Sequence, residues 1–112
     1  MNTNTNVTLP DAVARYFDAA NRFDADSAAA CFTPNAVVHD EGKDHVGTEG
    51  IRSWVSHTSE NYQPQVTVLS ARENGDQLAV TARVAGQFPG SPVELEFNLT
   101  LRHGRIAKLA IQ

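Results

Sequence analysis

From Gln65 to the end of the chain, apolar residues recur at every second position, and this alternation restricts the possible folds most. The two longest runs are Leu78–Val84 and Val93–Leu101. A period of two is typical of strands that cover a core with one face only. The turn-forming sequences Asn74–Asp76 and Pro89–Pro92 separate the runs, as in β-hairpins. The second half of the chain is therefore predicted to form an antiparallel meander with one apolar and one polar face.

The first half of the chain carries helical spacing instead. Leu9–Ala20 repeats apolar residues every three or four positions, which predicts a first helix with one buried stripe. A second, alanine-rich helix is predicted at Asp26–Phe32, followed by a short strand at Ala36–His39. A third helix is predicted to start at Thr48 as its N-cap and to end at Tyr62.

Helices first and strands later favour an α+β fold over an alternating α/β fold. A chain of 112 residues can bury one core, so residues 9–112 are predicted to form a single domain behind a flexible tail at residues 1–8. Residues 40–47 are expected to be a polar loop. Three helices packed on one face of a curved sheet leave an interior that side chains need not fill, and such a cavity is a natural ligand site.

Charge and composition exclude several other classes of protein. The formal net charge is −4 and the basic residues are scattered, so neither a nucleic acid nor an anionic membrane surface is an expected partner. No apolar stretch approaches the roughly 20 residues of a membrane span. The polar N-terminus does not resemble a secretory signal, which makes a cytoplasmic location the expectation. The single cysteine, Cys31, is interpreted as a buried structural thiol.

Metal-binding residue types cluster between His39 and His45, but without the spacing of known zinc sites. Neither a metal nor another cofactor is therefore predicted. Alternation along the strand also places His39 on the side away from any pocket.

Four short segments, taken in their order and spacing, carry a family resemblance: Ala14–Phe17, Phe23–Asp26, Cys31–Val38 and Gly47–Arg52. On these segments the chain resembles the nuclear-transport-factor-2-like superfamily, and within it the SnoaL-like polyketide cyclases and ketosteroid isomerases. The resemblance covers almost the whole chain from Leu9 and implies a cone-shaped α+β barrel with an internal pocket. Because this superfamily hosts enzymes, binding modules and assembly domains, the resemblance says more about fold than about function.

The resemblance also implies a pair of reactive groups. In ketosteroid isomerases, a tyrosine of the first helix donates a hydrogen bond to the substrate oxygen, and an aspartate at the end of the first strand moves the proton. Tyr16 and Asp40 match these two positions. The second acid of those isomerases falls on Phe97, so one of two donors for a negative oxygen is missing. Steroid isomerase activity is therefore not predicted.

Each candidate residue also has a purely structural interpretation. Asp40 is either a general base that faces an apolar cavity or only the start of the polar loop. Tyr16 is either a ligand contact or a core tyrosine whose hydroxyl bonds to the backbone. The remaining predicted substrate-binding residues are apolar or aromatic: Phe17, Phe32, Val38, Trp54, Phe88, Phe97 and Leu99.

Three functions remain open at this point. The first is a cofactor-independent acid–base enzyme, an isomerase, cyclase or dehydratase, acting on a small apolar carbonyl or cyclic substrate. The second is a non-catalytic binding module for an apolar metabolite, and the third is an assembly domain. In every case a homodimer through the outer face of the sheet is expected, because the resemblance implies that mode of pairing.

Overall fold

The computed structural model describes residues 7–112, in which three helices pack on one six-stranded sheet. The predicted fold class, α+β with helices on a curved and mostly antiparallel sheet, is confirmed. The elements are α1 (Asp11–Asn21), α2 (Ala25–Ala29), β1 (Phe32–Asp40), β2 (Lys43–Val46), α3 (Gly47–Tyr62), β3 (Gln65–Asn74), β4 (Gln77–Ala85), β5 (Val93–Arg102) and β6 (Arg105–Ile111). Of the predicted tail, residues 1–6 lie outside the described residues.

The strand order is β2-β1-β6-β5-β4-β3. Strands β3 to β6 pair antiparallel in succession, as the alternation predicts, whereas β1 and β6 run parallel. Leu78, Val80, Phe97 and Leu99 are all buried on the inner face of the sheet. The helices cover this face, so the meander positions one wall of any space left beneath them.

Two predictions around α2 are wrong. The helix ends at Ala29 rather than at Phe32, and β1 begins at Phe32 rather than at Ala36. Pairing of Phe32 with Ile106 on β6 extends the strand backwards. Pro34 lies inside β1, exposed, where the register with β6 shifts, so its missing N–H removes no ladder bond.

Residues 40–46 complete a β-hairpin, rather than the polar loop predicted for residues 40–47. The chain turns at Glu41 and Gly42, whose φ angles of 54° and 75° are both positive, as a type I′ turn requires. Then α3 begins at Gly47, and its N-cap is Val46, which makes no side-chain cap bond, rather than the predicted Thr48. Three of the four residues of β2 are exposed, because β2 is an edge strand. It therefore lacks the alternation that would have predicted it.

The core lies between the helices and the inner face of the sheet. Aromatic rings meet there edge to face, with centroids 5.3 Å apart for Phe17 and Phe97 and 5.4 Å apart for Tyr16 and Phe32. Cys31 is buried beside them. Across residues 7–112, the helices are too short or too polar to cross a membrane.

Candidate functional site

A cavity of about 600 Å³ lies between α1, α3 and the inner face of the sheet. Its walls are mainly apolar, and it is partly open to solvent. The sheet contributes Val66, Val84 and Leu95, and the loop between β4 and β5 contributes Phe88 and Pro89. Ligand pockets in proteins occupy roughly 300–1,000 Å³, so this space suits a small organic molecule.

Asp40, the last residue of β1, lines the cavity. Strand alternation places it on the face of the fully buried Val38, whereas His39 between them is exposed on the other face. The indole Nε1 of Trp54 donates a hydrogen bond of 3.1 Å to Oδ2 of Asp40. Within residues 7–112, Oδ1 of Asp40 makes no hydrogen bond or ion pair, so this oxygen is available to a ligand.

Tyr16 reaches the cavity from the buried face of α1 and is only 4% exposed. Burial, the negative charge of Asp40 and, third, Cys31 raise the pKa of the Tyr16 phenol well above its usual range. Among residues 7–112, the hydroxyl has no hydrogen-bond partner. Buried polar groups are normally paired, so this neutral phenol is a donor that a ligand oxygen would satisfy.

One face of α3 forms much of the wall. Trp54, Thr58 and Tyr62 recur at intervals of four, and Val55 and Ser59 form a second row beside them. Sequence reasoning does not identify Ser59 and Tyr62 as lining residues, although their spacing from Val55 and Thr58 is the signal that would include them. The bond from Trp54 to Asp40 has no sequence signal, because it depends on how α3 crosses β1.

The loop between β4 and β5 is tied to the end of α3. The backbone N–H of Gln87 donates to the carbonyl oxygen of Tyr62 at 2.6 Å. A Cβ atom on Gly86 would lie only 2.5 Å from that oxygen. The Phe88 ring packs edge-on against the Tyr62 ring, with centroids 6.1 Å apart. This contact fixes one end of the cavity.

The predicted site residues divide between two layers. Trp54, Phe88 and Phe97 line the cavity together with Asp40 and Tyr16. Four others are core residues that do not line it: Phe17, Phe32, Val38 and Leu99. They fill the space behind the first layer, as the ring contacts from Phe17 to Phe97 and from Phe32 to Tyr16 show. Residues of both layers follow the same apolar periodicity in the sequence, so the sequence does not distinguish the lining residues from the core residues behind them.

The histidines of the β1–β2 hairpin have partners other than a metal. The Nδ1 atom of His39 lies 2.7 Å from Oδ1 of the exposed Asp44 across the hairpin. The ring of His45 packs near that of Trp54, with centroids 5.9 Å apart. In the part of the chain that the structure describes, no three His, Cys, Asp or Glu side chains are grouped to hold a metal ion.

Comparison with known proteins places the chain in a family. The SnoaL-like domain family matches residues 13–109. Among solved structures, SMa1630 of Sinorhizobium meliloti, a candidate polyketide cyclase, is 40% identical and superposes with a TM-score of 0.91. That match covers 99% of this chain and 100% of the other. No curated protein matches the chain.

Two further structures show the same fold at lower identity. A protein with a ketosteroid isomerase-like fold from Catenulispora acidiphila, in complex with trimethylamine, is 21% identical over 94% of this chain and 86% of its own, with a TM-score of 0.85. SalBIII, an epoxide hydrolase/cyclase-like enzyme of pyran ring formation in the polyether salinomycin, is 21% identical over 90% of this chain and 86% of its own, with a TM-score of 0.78. The family match and the full-length relative at 40% identity together show that this chain belongs to the SnoaL-like family.

Proposed function

We propose that this SnoaL-like protein is an enzyme that performs acid–base chemistry without a cofactor. The reaction is an isomerisation, cyclisation or dehydration of a small apolar carbonyl or cyclic compound. Asp40 is the general base and Tyr16 is the hydrogen-bond donor. The main support is one juxtaposition: a carboxylate and a buried phenol line the same apolar cavity, and among residues 7–112 one carboxylate oxygen and the phenolic hydroxyl have no partner.

The environment of Asp40 supports its role as the base. The Trp54 indole holds Oδ2 and thereby orients the carboxylate plane, which leaves Oδ1 for a C–H bond next to the substrate carbonyl. The apolar walls restrict how the body of the substrate lies against this oxygen. A positioned general base contributes roughly 10²–10⁴-fold to the rate of a proton transfer.

The environment of Tyr16 supports its role as the donor. A phenol is protonated at neutral pH, and burial raises the pKa of Tyr16 further, so the hydroxyl can donate to an oxygen on which negative charge develops. Phe97 lines the cavity at the position where the resembling isomerases have a second acid. A missing donor of this kind costs roughly 10²–10³ in rate, which favours substrates whose C–H bond is already acidic.

One relative supports a substrate of this type. SMa1630, which is 40% identical to this chain, is a candidate polyketide cyclase. Chains with several ketone groups have acidic C–H bonds between carbonyls, and such chains cyclise after loss of one of those protons. A single base and a single donor are sufficient for that step.

Exchange of α-protons in D₂O tests the proposal without knowledge of the natural substrate. A panel of cyclic monoketones and β,γ-unsaturated ketones, all uncharged at neutral pH, is incubated with the protein and followed by proton NMR. We expect exchange above the buffer rate for at least one compound. Asp40→Asn should lower it to the buffer rate, and Tyr16→Phe should lower it roughly 10²–10³-fold. Asp76→Asn, an exposed turn residue outside the cavity, is the matched control. Equal exchange by Asp40→Asn and the parent protein would contradict the mechanism.

The second candidate function is a binding module without turnover, and Phe97 in place of an acid favours it. In that case the same ketones would bind in the cavity, and none would exchange faster in its presence. The two functions therefore differ in one measured quantity, the exchange rate at saturating ketone.

We also propose a homodimer through the outer face of the sheet. The three helices cover the inner face, and the outer side carries exposed residues such as Leu69, which is 45% exposed. Light scattering should give twice the chain mass of 12.1 kDa at micromolar concentration. A monomer at that concentration would contradict the dimer and leave the cavity chemistry unaffected.

A further inference from the structure

The cavity contains negative charge that no lining residue among residues 7–112 balances. Asp40 and Glu41 are both lining residues, and the described lining includes no lysine, arginine or histidine. Lys43 is the partner of Asp40 in the β1–β2 register. Even so, neither carboxylate forms an ion pair with any of residues 7–112. An anionic ligand would therefore meet repulsion, whereas a cation would meet two uncompensated carboxylates.

Aromatic side chains from four elements line the same space. Tyr16 comes from α1, Trp54 and Tyr62 come from α3, Phe88 comes from the β4–β5 loop, and Phe97 comes from β5. The face of an aromatic ring carries negative electrostatic potential and attracts an ammonium group that lies over it. Walls of this kind can contact both the apolar body of a ligand and a cationic nitrogen.

Two unpaired oxygen atoms point to a ligand with N–H groups. Tyr16 is only 4% exposed. Its hydroxyl faces the cavity and has no partner among residues 7–112. Oδ1 of Asp40 is also free there, since Trp54 binds only Oδ2. A protonated amine has two or three N–H donors, enough to donate to the carboxylate and also to the phenolic oxygen, which accepts through its lone pairs besides donating its own O–H.

We propose that the cavity binds organic ammonium ions, that is, protonated amines on an apolar body of about one ring, and discriminates against carboxylates of the same shape. The proposal rests on the cavity used in the proposed function, but not on turnover. An ammonium ion bound at Asp40 occupies the base, so such amines compete with any ketone that the enzyme processes.

Three probes with one cyclohexyl ring test this selectivity at pH 7: cyclohexylmethylamine, cyclohexylmethanol and cyclohexanecarboxylate. Binding is followed by calorimetry and by the fluorescence of Trp54, the only tryptophan of the chain. A hydrogen bond to a charged group supports an affinity gain of roughly 10–100-fold. We expect the amine to bind about tenfold or more tighter than the alcohol, and the carboxylate to bind weakest. Competition between amine and alcohol should locate both in one site.

Variants identify the groups responsible. Asp40→Asn should remove the advantage of the amine and leave the affinity of the alcohol within about threefold, because only the charge-assisted bond is lost. Glu41→Gln should cause a smaller loss for the amine, since its side chain is exposed. Asp76→Asn removes one negative charge, as Asp40→Asn does, but at a position outside the cavity. It should therefore leave all three affinities unchanged.

Several outcomes would overturn the inference: a carboxylate that binds as tightly as the amine, no binding of any probe at millimolar concentration, or unchanged amine affinity in Asp40→Asn. The order of affinities in the parent protein decides the question even if Asp40→Asn fails to fold. Failure of the two proposals can be told apart. Amine selectivity without ketone exchange refutes only the proposed enzyme, and ketone exchange without amine selectivity refutes only this inference.

Discussion

The indole N–H of Trp54 and the carboxylate of Asp40 are joined by a hydrogen bond of 3.1 Å between residues that lie 14 positions apart in the chain. This bond connects α3 to the end of β1 at the wall of the cavity. The indole also packs near the ring of His45 on β2. The orientation of the proposed base therefore depends on a helix residue that itself is only 7% exposed.

Trp54→Phe tests whether this bond positions the base. The substitution keeps an aromatic ring in the wall and removes the N–H donor, so Oδ2 of Asp40 loses its partner. We expect kcat for ketone proton exchange to fall roughly 10–100-fold, with KM changed less than about twofold. Phe88→Leu, a wall residue that does not touch Asp40, should instead raise KM. Unchanged kcat in Trp54→Phe would show that the indole only packs.

Tyr16→Phe has a distinct signature in alkali. In the unfolded chain a tyrosine loses its proton near pH 10, whereas burial raises the pKa of Tyr16 in the folded protein. The buried, protonated phenol therefore makes its full contribution to the free energy of unfolding below about pH 10. As pH rises above that value, the free energy of unfolding falls by about 1.4 kcal/mol per pH unit. Denaturant unfolding between pH 8 and pH 11 should show this extra slope for the parent protein and not for Tyr16→Phe. Parallel curves would mean that the phenol is not buried in solution.

At neutral pH the same variant should unfold at nearly the parental denaturant concentration. Within residues 7–112 the hydroxyl has no hydrogen bond to lose. A large loss of stability would indicate that the hydroxyl has a structural partner, which is the core-tyrosine interpretation of Tyr16.

The alternation from Gln65 onwards predicts the meander correctly, because each strand buries one face and each turn has its own sequence signal. The β1–β2 hairpin escapes prediction for the opposite reason. Lys43–Val46 is an exposed edge strand, and its pairing with β1 comes from backbone bonds that carry no side-chain pattern. The early start of β1 at Phe32 likewise depends on pairing with Ile106, a partner distant in the chain.

The site was predictable only in part. The family resemblance, rather than any periodicity, selects Tyr16 and Asp40, and the structure brings both to one cavity. The donor to Asp40 and the unbalanced charge of the wall depend on how α3 crosses the sheet, which no local pattern encodes. Phe17 and Leu99 were predicted to bind substrate but are buried in the core and do not line the cavity. The sequence does not reveal this difference, because core residues and lining residues have the same apolar character.

Asn21 covers the open edge of the sheet at the cavity. Its side-chain amide donates to the carbonyl oxygen of Val66 at 3.0 Å and accepts from the Val66 N–H at 2.8 Å, which ties the end of α1 to edge strand β3. Asn21→Ala leaves both partly buried backbone groups unpaired, so we expect the free energy of unfolding to fall by about 1–3 kcal/mol. Asn61→Ala, which loses only bonds to His57 within α3, should change it by less than about 0.5 kcal/mol. Equal losses in the two variants would refute a bridging role for Asn21.

Gly86 is the position where the β4–β5 loop meets the end of α3, and it tests what fixes the far end of the cavity. A Cβ atom there would lie 2.5 Å from the carbonyl oxygen of Tyr62 and 3.1 Å from the Phe88 ring. Gly86→Ala must therefore push the loop away from α3 and weaken the bond from Gln87 to Tyr62. Overpacking of this kind costs about 1–3 kcal/mol of stability. Because Phe88 and Tyr62 both line the cavity, its affinity for one-ring probes should fall as well.

Gly50 provides the matched control for that substitution. It lies within α3, and a Cβ atom there would meet the His45 backbone at 3.6 Å, an ordinary contact distance. Gly50→Ala restricts the unfolded chain as much as Gly86→Ala does and adds helix propensity, so it should stabilise the protein by about 0.5–1 kcal/mol. If denaturant unfolding shows that Gly50→Ala stabilises the protein and Gly86→Ala destabilises it, the loss at Gly86 is caused by the clash with Tyr62. A stabilised Gly86→Ala that binds the probes normally would show that the loop can move and that this end of the cavity is adaptable.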